Sequence, residues 1–427
     1  MKKDETTKAD LFKTISLTGE FAALDKTDRE TLEKASLKYR FSHSMLKQMV
    51  DCGLDFASWK QKPLNELIDF TGTSGKEIFN YVVCQWNDLK ESVTDYDGFS
   101  GSPAPSPVKK NLVLRTADNT GFGTCPVASS KTRCCNLLTL DAVEGCAFNC
   151  SYCAVKTFYK NGEVHLIDNL SQTLKSIHID RDKVYHIGTG QSSDSLLYGN
   201  IGGQLDALIE FAVKYPNVIL EFKTKSSNIE YLLSRELPPN MIFTWSLNTD
   251  TIVNNEEHGT ASLDKRIESA KKMAKKGALV GFHFHPIIYY KNSFAEYEKI
   301  FNRLVDEFDS GDVAMVSLGT LTFTKPVIKQ LRKSAMKSRV LEFAFNNIAN
   351  KFSYSTDIKE KMFSHAYEAL EPWHDKVFFY MCMEDIVLWK KVFGYEYENN
   401  DLLEDAMKKS YMNKVNIKIN LKKKMNG

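Results

Sequence analysis

The strongest chemical signal in the chain is the segment GCAFNCSYC, where Cys146, Cys150 and Cys153 follow a C-x3-C-x2-C pattern. The segment comes directly after a predicted first β-strand, so the three thiols are expected on one loop at a strand end. Three thiolates on such a loop can bind three irons of a 4Fe–4S cluster and leave the fourth iron open to a small ligand. A structural zinc site is the rival interpretation, but zinc normally takes four ligands in separated pairs, and no matching second pair follows. Three buried structural cysteines are the remaining alternative.

The elements that must position this loop form a repeating pattern from Asn136 onward. Short β-rich runs alternate with amphipathic helices, which predicts right-handed βαβ units around a parallel sheet. The predicted strands are NLLTLDA, KVYHIG, VILEFKT, MIFTWSL, ALVGFHFH and DVAMVSLGT. Six repeats are too few for a closed eight-unit barrel, so we expect an α/β fold with a partial (β/α)6 TIM-type barrel. A seventh strand, KVFFYMCM, follows a helix predicted over 356–371 and forms a C-terminal strand and helix extension.

The two ends of the chain differ from this pattern. Segments such as GKEIFNYVVCQWNDLKESV in the first hundred residues repeat apolar residues every three or four positions, which predicts helices. A stretch rich in Gly, Ser and Pro over 98–107 predicts a linker. We therefore predict a helical N-terminal region with its linker over 1–105, a barrel domain over 106–394 and a basic tail over 395–427. The tail ends in VNIKINLKKKMNG and carries seven lysines from Lys408 onward with no acid, which predicts a basic β-ribbon or a frayed end.

Composition and charge limit the class of protein. With 43% hydrophobic, 11% aromatic and 26% charged residues in 427, the chain has enough apolar surface for a core, which excludes a disordered or fibrous protein. The net charge of +2 gives no global argument for nucleic-acid or membrane binding. Six of the nine cysteines fall within 125–153, which indicates metal binding in a reducing compartment and not a disulfide scaffold. Because we find no export signal and no apolar run of about 18 residues, we predict a cytoplasmic protein.

The cysteine loop resembles that of the radical S-adenosylmethionine (SAM) superfamily, in which the open iron binds the amino and carboxylate groups of SAM. Other segments narrow the resemblance to the spore photoproduct lyase family over about residues 111–394. These segments are KTRCCNLLTLDAVEGCAFNCSYC, LEFKTKSSNIEYLL, FTWSLNT, ALVGFHFHPIIYY, SLGTLTF and FYMCMEDIVLWKKVFG. The resemblance implies a 4Fe–4S cluster and SAM as cofactors, a 5′-deoxyadenosyl radical as the reactive species, and an external electron donor such as flavodoxin or ferredoxin. It also implies a pyrimidine base in DNA as the substrate, for repair or for base modification.

Carried over residue by residue, the resemblance implies a SAM site. Ser193 in GTGQSSD, Lys225 in KTKSS and Ser246 in WSLNT match its SAM-contacting positions. Each lies at the carboxyl end of a predicted strand, where barrel active sites are built. Lys225 can supply a cation to the SAM carboxylate, and the two serines can bond to its ribose or carboxylate. Tyr152, between two of the cysteines, could contact SAM, pack against the cluster or simply fill the loop.

Two positions depart from the family pattern. Spore photoproduct lyases carry a hydrogen-donating cysteine in the second-strand loop, where this chain has Gln191. They also carry a relay tyrosine just after the last cluster cysteine, where this chain has Ala154. An amide and a methyl group cannot donate a hydrogen atom as a thiol or a phenol does. Either another residue quenches the radical, or the reaction differs from dimer reversal.

Four further cysteines, two histidines and a tyrosine are candidates for other roles. Cys125, Cys134, Cys135 and Cys382 could donate a hydrogen atom or bind a second metal centre, although a packed thiol is the commoner state of such a cysteine. His283, His285 and Tyr289 in GFHFHPIIYY could face the barrel mouth, because strand alternation places both histidines on one face. Core histidines bonded to the backbone would explain the same pattern. Asp194, Glu221 and Glu384 could position substrate hydroxyl groups or form strand-end salt bridges.

The sequence leaves two other functions open. One is a radical SAM enzyme that acts on a small molecule, a peptide or RNA. The other is a non-enzymatic iron–sulfur or zinc protein that senses metal or redox state. The trio of Ser193, Lys225 and Ser246 favours an enzyme, because a metal-sensing module would not need it. The N-terminal helices lack a helix-turn-helix signature or a basic stripe, which favours a cap on the barrel over a DNA-binding or partner-binding module.

Overall fold

A computed structural model gives the structure of the chain and describes residues 8–39, 41–71, 74–101, 111–117, 122–125, 132–154, 163–190, 193–334, 336–348 and 351–426. Within these residues the strands are β1 (Asn111–Arg115), β2 (Gly123–Thr124), β3 (Leu138–Leu140), β4 (Val143–Glu144), β5 (Asn149–Cys150), β6 (Glu163–Ile167), β7 (Tyr185–Thr189), β8 (Val218–Thr224), β9 (Met241–Ser246), β10 (Glu257–His258), β11 (Leu279–Ile287), β12 (Val313–Thr320), β13 (Thr322–Thr324), β14 (Asn346–Ile348), β15 (Lys351–Ser353) and β16 (Phe378–Met381). The helices are α1 (Lys8–Ser16), α2 (Gly19–Ala23), α3 (Lys26–Lys38), α4 (His43–Ser58), α5 (Leu64–Leu67), α6 (Gly75–Glu91), α7 (Leu170–Ser176), α8 (Gln204–Lys214), α9 (Glu230–Leu233), α10 (Asp250–Glu256), α11 (Leu263–Lys275), α12 (Ser293–Glu307), α13 (Lys325–Lys333), α14 (Thr356–Ala369), α15 (Ile386–Phe393) and α16 (Asn400–Asn426).

The chain divides into two compact units. The first consists of Met1–Ala104, Tyr289–Lys291 and Thr322–Ser355, and the second of Pro105–Ile288, Asn292–Leu321 and Thr356–Gly427. The domain boundaries drawn from the sequence, near residues 105 and 394, stay a prediction.

The second unit is built around one open sheet of eight strands in the order β16-β12-β11-β9-β8-β7-β3-β2. Neighbouring strands pair in parallel, except that β2 runs antiparallel to β3. In the described part of the chain the end strands β16 and β2 do not pair, so the sheet is an open half-barrel. This confirms the predicted α/β partial barrel, because all six predicted strands and the seventh occupy successive places in the sheet.

Burial explains why these segments form strands. Every residue of β9 and of β12 is buried, as expected when helices cover one face of a parallel sheet and the barrel interior covers the other. The intervening helices are amphipathic instead. In α11, for example, Ile267, Ala270 and Met273 recur on one buried face while the last turn carries lysines. The parallel pairing brings the carboxyl ends of β7, β8, β9, β11, β12 and β16 to one edge of the sheet, where barrel enzymes place their active sites.

The first unit combines the predicted N-terminal helices with a small antiparallel sheet in the order β13-β15-β14. Its core includes Leu32, Met49 and Val82, one residue from each of α3, α4 and α6. Within this unit the buried carboxylate of Asp55 accepts hydrogen bonds from Trp86 Nε1 at 2.9 Å and from the Arg332 guanidinium at 2.8 and 2.9 Å. The small sheet was not predicted, because its strands are only three residues long.

The C-terminal tail corrects one expectation. The predicted β-ribbon or frayed end is wrong, because residues 400–426 form the helix α16. Leu403, Met407, Tyr411 and Val415 are buried at a spacing of four, and this helical period outweighs the short alternating run near the end. Its lysines bond within the second unit: Lys414 Nζ donates to the Ser310 carbonyl at 2.5 Å and Lys422 Nζ to the Leu237 carbonyl at 2.8 Å.

Among the described helices, none combines the length and the apolar character that a bilayer crossing requires.

Candidate active site

The cysteine loop follows β4 and is held by a segment about a hundred residues further along the chain. Within the loop, β5 pairs antiparallel with β10, so that Cys150 lies opposite Glu257. The Ser151 N–H donates to the Glu256 carbonyl at 2.8 Å, and the Ser151 hydroxyl bonds to the buried Glu256 carboxylate. The sequence carried no local signal for this pairing, because the two segments are distant in the chain and β10 has two residues.

The three cysteines and the three predicted SAM-binding residues line one cavity, which we call the cysteine-loop cavity. Its space amounts to about 710 Å³, including the open mouth, and its lining includes Cys146, Cys150, Cys153, Ser193, Lys225 and Ser246. Lys225 follows the last residue of β8, and Ser246 is the last residue of β9. The structure therefore brings together side chains from the loop and three strand ends, while the role of each side chain stays a prediction.

The donor set fits a cluster better than a single metal ion. In the described residues, no three His, Cys, Asp or Glu side chains are arranged to hold one ion. A tetrahedral zinc site needs such convergence, whereas the cysteines of a 4Fe–4S cluster bind different irons and are spread around a larger group. Three cysteines around one open cavity are arranged as a 4Fe–4S cluster requires. They would hold three irons and leave the fourth facing the cavity.

Lys225 is part of a buried network behind the loop. Its Nζ lies 2.6 Å from Tyr152 Oη, 3.2 Å from Glu257 Oε1 and 3.9 Å from Cys150 Sγ. Burial alone would lower the pKa of Lys225, but the negative charges of Cys150 and Glu257 outweigh it and raise that pKa. Lys225 therefore remains a cation beside the cysteines. Tyr152 does not line the cavity in this arrangement and instead joins Lys225 to Glu257, to which its hydroxyl bonds.

Arg266, on α11, completes this network and was not predicted from the sequence. It is fully buried, and its Nη2 lies 2.6 Å from Glu257 Oε2 while its Nη1 donates to the Ser246 carbonyl at 2.9 Å. Burial alone would raise the pKa of Glu257, but Arg266 and Lys225 outweigh it and lower that pKa to about 2. Glu257 is thus ionised, and the pair ties the end of β9 to the strand that holds the cysteine loop.

Asp194 shapes another side of the cavity. Its carboxylate accepts hydrogen bonds from Thr224 Oγ1 at 2.7 Å and from the Lys225 N–H at 2.6 Å. It also accepts from the N–H groups of Leu196 and Leu197 at 3.1 and 2.9 Å. These bonds join the loop after β7, which carries Ser193, to the end of β8, which carries Lys225. Asp194 therefore positions these two segments, and the contacts it makes are structural.

Both histidines of β11 line a second cavity, described below, and His285 also lines the cysteine-loop cavity. His283 is buried, with Nδ1 2.6 Å from Ser317 Oγ and Nε2 2.8 Å from Glu221 Oε1. Burial, with the nearby Lys223, lowers the pKa of His283 to about 4. His285 lines the cysteine-loop cavity, and burial lowers its pKa as well, so both imidazoles are neutral.

Three other positions were singled out from the sequence. Tyr289 belongs to the first unit, where its ring packs edge-on against Tyr354 and its N–H donates to the Tyr354 hydroxyl at 3.1 Å. Gln191 lies outside the described residues. Ala154 is described and exposed, and it directly follows Cys153.

A second cavity adjoins the first and contains the remaining barrel cysteines. The space of this four-cysteine cavity amounts to about 700 Å³, including its opening to solvent, and its lining includes Cys125, Cys134, Cys135, Cys382, Lys223 and His285. Lys223 and His285 also line the cysteine-loop cavity, so the two cavities share these side chains. Burial raises the pKa of the Cys382 thiol to about 12.

Comparisons with known proteins identify the family of the chain. The family model described as spore photoproduct lyase matches residues 127–364. The spore photoproduct lyase of Clostridium acetobutylicum is 24% identical over 340 residues, which cover 77% of this chain and 90% of that protein. The Bacillus subtilis enzyme of the same name is 29% identical over 204 residues, which cover 46% of this chain and 59% of that protein.

Solved structures show the same fold. A spore photoproduct lyase complexed with dinucleoside spore photoproduct has a TM-score of 0.54 at 21% identity and covers 64% of this chain and 82% of its own. A doubly substituted spore photoproduct lyase with bound AdoMet and dinucleoside spore photoproduct has a TM-score of 0.54 at 18% identity and covers 82% and 96%. Because the family model matches more than half of the chain, the protein belongs to the spore photoproduct lyase family, whose members are radical SAM enzymes that use a 4Fe–4S cluster and SAM.

Proposed function

We propose that this enzyme acts on a pyrimidine base in DNA, either to repair a photoproduct or to modify the base. The observation that carries the proposal is the cysteine-loop cavity, where three cysteines meet Ser193, Lys225 and Ser246 at the strand ends. The proposal is supported by the relatives named spore photoproduct lyase and by the solved member of that family that was complexed with dinucleoside spore photoproduct. Family membership excludes the alternative of a non-enzymatic sensor. The alternatives of a small molecule, a peptide or RNA become outcomes of the test.

In this proposal Cys146, Cys150 and Cys153 hold the cluster, while Ser193, Lys225 and Ser246 bind SAM. When bound, the cluster and SAM together supply a 5′-deoxyadenosyl radical that removes a hydrogen atom from the substrate. The protein's own residues provide position and charge. Lys225 presents a cation beside Cys150, and Glu257 and Arg266 fix the lysine there through buried ion pairs. The reducing electron comes from outside the chain, from a donor such as flavodoxin or ferredoxin.

The route back from the substrate radical differs from that of the family pattern. At Ala154 and Gln191 this chain lacks the phenol and the thiol that the family uses to return a hydrogen atom. We therefore propose that the wild-type enzyme forms 5′-deoxyadenosine but reverses 5-thyminyl-5,6-dihydrothymine poorly. A donor must lie within contact distance of the radical carbon, since a misplacement of about 1 Å can cost on the order of a hundred-fold in rate.

The test is anaerobic turnover of the reconstituted full chain with SAM and a chemical reductant. Oligonucleotides that contain the thymine photoproduct are compared with undamaged DNA, with RNA of the same sequence and with no substrate. We expect DNA to raise 5′-deoxyadenosine formation and to contain an altered base when the oligonucleotide is digested and its nucleosides are separated by chromatography. Mass alone does not report repair, because the photoproduct and the two thymines to which it reverts are isomers. Stimulation by RNA only, or formation that no nucleic acid affects, would contradict a DNA substrate.

Two variants test the identity of the substrate separately from the identity of the hydrogen donor. Gln191→Cys, alone and with Ala154→Tyr, should raise the yield of clean thymine per SAM if the photoproduct is the substrate. Cys153→Ala serves as the inactive control, and Cys84→Ala, which changes an exposed cysteine of the first unit, serves as the matched active control. Efficient clean repair by the wild type would show that another residue of this chain donates the hydrogen atom.

A further inference from the structure

We propose that Cys125, Cys134, Cys135 and Cys382 bind a second 4Fe–4S cluster in the four-cysteine cavity. The cysteines come from three separate places: Cys125 follows β2, Cys134 and Cys135 precede β3, and Cys382 follows β16. All four line this one cavity. The family chemistry requires only the three cysteines of the loop, so this second set is unexplained by the function proposed above.

The number and type of the ligands favour a cluster. Four cysteines can each bind one iron of a 4Fe–4S cluster, so that no iron keeps an open coordination position. None of the described cysteines forms a disulfide bond. Clustered cysteines in a protein without a disulfide scaffold are more often metal ligands or catalytic groups than structural cross-links.

The geometry argues against a single zinc ion. Zinc bound by four cysteines requires sulfur atoms that converge to about 2.3 Å from one point. In the described chain no three candidate ligands converge in this way, in either cavity. The cysteine-loop cavity has the same property, and there the family binds a cluster. By this comparison the second set of cysteines, like the first, is spread around its cavity as a cluster requires and does not converge on one ion.

The loop that carries two of these cysteines is held in place by the start of α16 and the turn before it. Arg133 donates from Nε to the Tyr397 carbonyl and from Nη2 to the Glu398 carbonyl, both at 2.6 Å. The Cys134 N–H donates to Asn400 Oδ1 at 3.0 Å. The site is therefore built from elements that the fold already positions, as a ligand set for a rigid cluster needs.

The backbone on both sides supports this view. Asn136, next to Cys135, has φ +47°, and Met383, next to Cys382, has φ +64°. Left-handed backbone is unusual for methionine and is kept where the surroundings determine it, often at functional sites. The Cys382 N–H donates to the Leu318 carbonyl at 2.8 Å, which places its side chain at the end of the sheet.

Positive charge is available to balance the thiolates. Lys223 and Arg133 both line the cavity, and Lys223 is near enough to act electrostatically on Cys382. Because Lys223 and His285 line both cavities, a second cluster would lie beside the first. With all four irons bound by cysteine, it would not bind SAM.

The test is iron and sulfide analysis of the full chain after anaerobic reconstitution with Fe²⁺ and sulfide. We expect about eight irons and eight sulfides per chain in the wild type, and about four of each in the variant Cys146→Ala/Cys150→Ala/Cys153→Ala. The cluster left in that triple variant should give a reduced EPR signal that does not change when SAM is added. The variant Cys84→Ala is the matched control and should keep about eight irons.

The reciprocal variant keeps the proposal testable if the triple variant does not fold. Cys125→Ala/Cys134→Ala/Cys135→Ala/Cys382→Ala should retain about four irons and a SAM-sensitive EPR signal. About four irons in the wild type, or a triple variant that binds zinc and no iron, would overturn the second cluster. Loss of all iron from the quadruple variant would count against it too, because the first cluster should be independent of these cysteines. Failure of the DNA proposal would leave all of these iron counts unchanged.

Discussion

The two cavities at the carboxyl edge of the sheet share Lys223 and His285 but are held in different ways. In the cysteine-loop cavity the three thiols lie within eight residues of sequence, and a buried charged network of Lys225, Glu257 and Arg266 supports them. In the four-cysteine cavity the thiols come from three segments. Hydrogen bonds to backbone carbonyls, two of them from Arg133, and a bond to Asn400 position these segments, without a buried ion pair between them among the described residues. The first site therefore depends on buried ion pairs, and the second depends on how the strand order brings three segments of the chain together.

The largest expected effect is on the first cavity. Replacing any one of Cys146, Cys150 or Cys153 with alanine should reduce SAM cleavage below detection, because in the proposed site each thiolate binds a separate iron. Far-ultraviolet circular dichroism should be nearly unchanged, since the cysteines lie on a loop. The measurement is 5′-deoxyadenosine formation, with Cys84→Ala as the control. Normal cleavage by an alanine variant would remove the assignment of the loop as the cluster site.

The charged network gives the next effect. Arg266→Met should lower the free energy of unfolding by about 3–5 kcal/mol, because it leaves the carboxylate of Glu257 buried with only one of its two cationic partners. Denaturant titration measures this quantity. Lys272→Met changes an exposed cation on the same helix and should have almost no effect. Equal stability of the two variants would show that the network is not a support of the first cavity.

A smaller effect is expected for SAM binding. Lys225→Ala should remove the proposed charge-assisted bond to the SAM carboxylate. Such a bond is typically worth about 1.5–3 kcal/mol, so SAM should bind roughly ten-fold to a hundred-fold more weakly. Calorimetric titration of the reconstituted protein measures the affinity, and iron analysis checks that the cluster content is unchanged. SAM affinity equal to that of the wild type would place the SAM carboxylate away from Lys225.

The smallest effect concerns the side chain shared by both cavities. A Cβ at Gly319 would lie 2.6 Å from Cδ2 of the His285 ring, so Gly319→Ala should lower the free energy of unfolding by about 1–3 kcal/mol. Adding His285→Ala should recover part of this loss, because the ring that clashes is removed. Gly19→Ala is the control, since its nearest neighbour is a flexible lysine at 3.4 Å. No recovery in the double variant would show that the Cys382 carbonyl, 3.0 Å away, is the dominant clash.

Local patterns in the sequence were sufficient for much of the fold. The strands of the half-barrel and the helices between them follow from short apolar runs and amphipathic periods, which depend on neighbouring residues. The three loop cysteines and the strand-end positions of Lys225 and Ser246 followed in the same way. The prediction of a β-ribbon for the tail is wrong because apolar and polar residues alternate only near the end of α16. The buried positions that define its helical period begin upstream, at Leu403.

The supports of the site could not be read from local patterns. Glu257 and Arg266 lie far from the cysteine loop in sequence, and only the pairing of β5 with β10 and the packing of α11 bring them together. The sequence likewise lists Cys125, Cys134, Cys135 and Cys382 without relating Cys382 to the others. Cys125, Cys134 and Cys135 flank the pair of β2 and β3, whereas Cys382 follows β16 at the opposite end of the strand order, and only the curl of the sheet into a half-barrel brings them around one cavity.

What the sequence by itself determined about this protein is therefore the half-barrel architecture and the three-cysteine loop, because both are written in residues close together in the chain. Only the tertiary structure decided that Lys225 is held by Glu257 and that Tyr152 bonds to both of them behind the loop. It alone placed four further cysteines around one cavity. The physical reason is that buried ion pairs and cavities depend on distances between segments, which the order of strands sets and local composition does not.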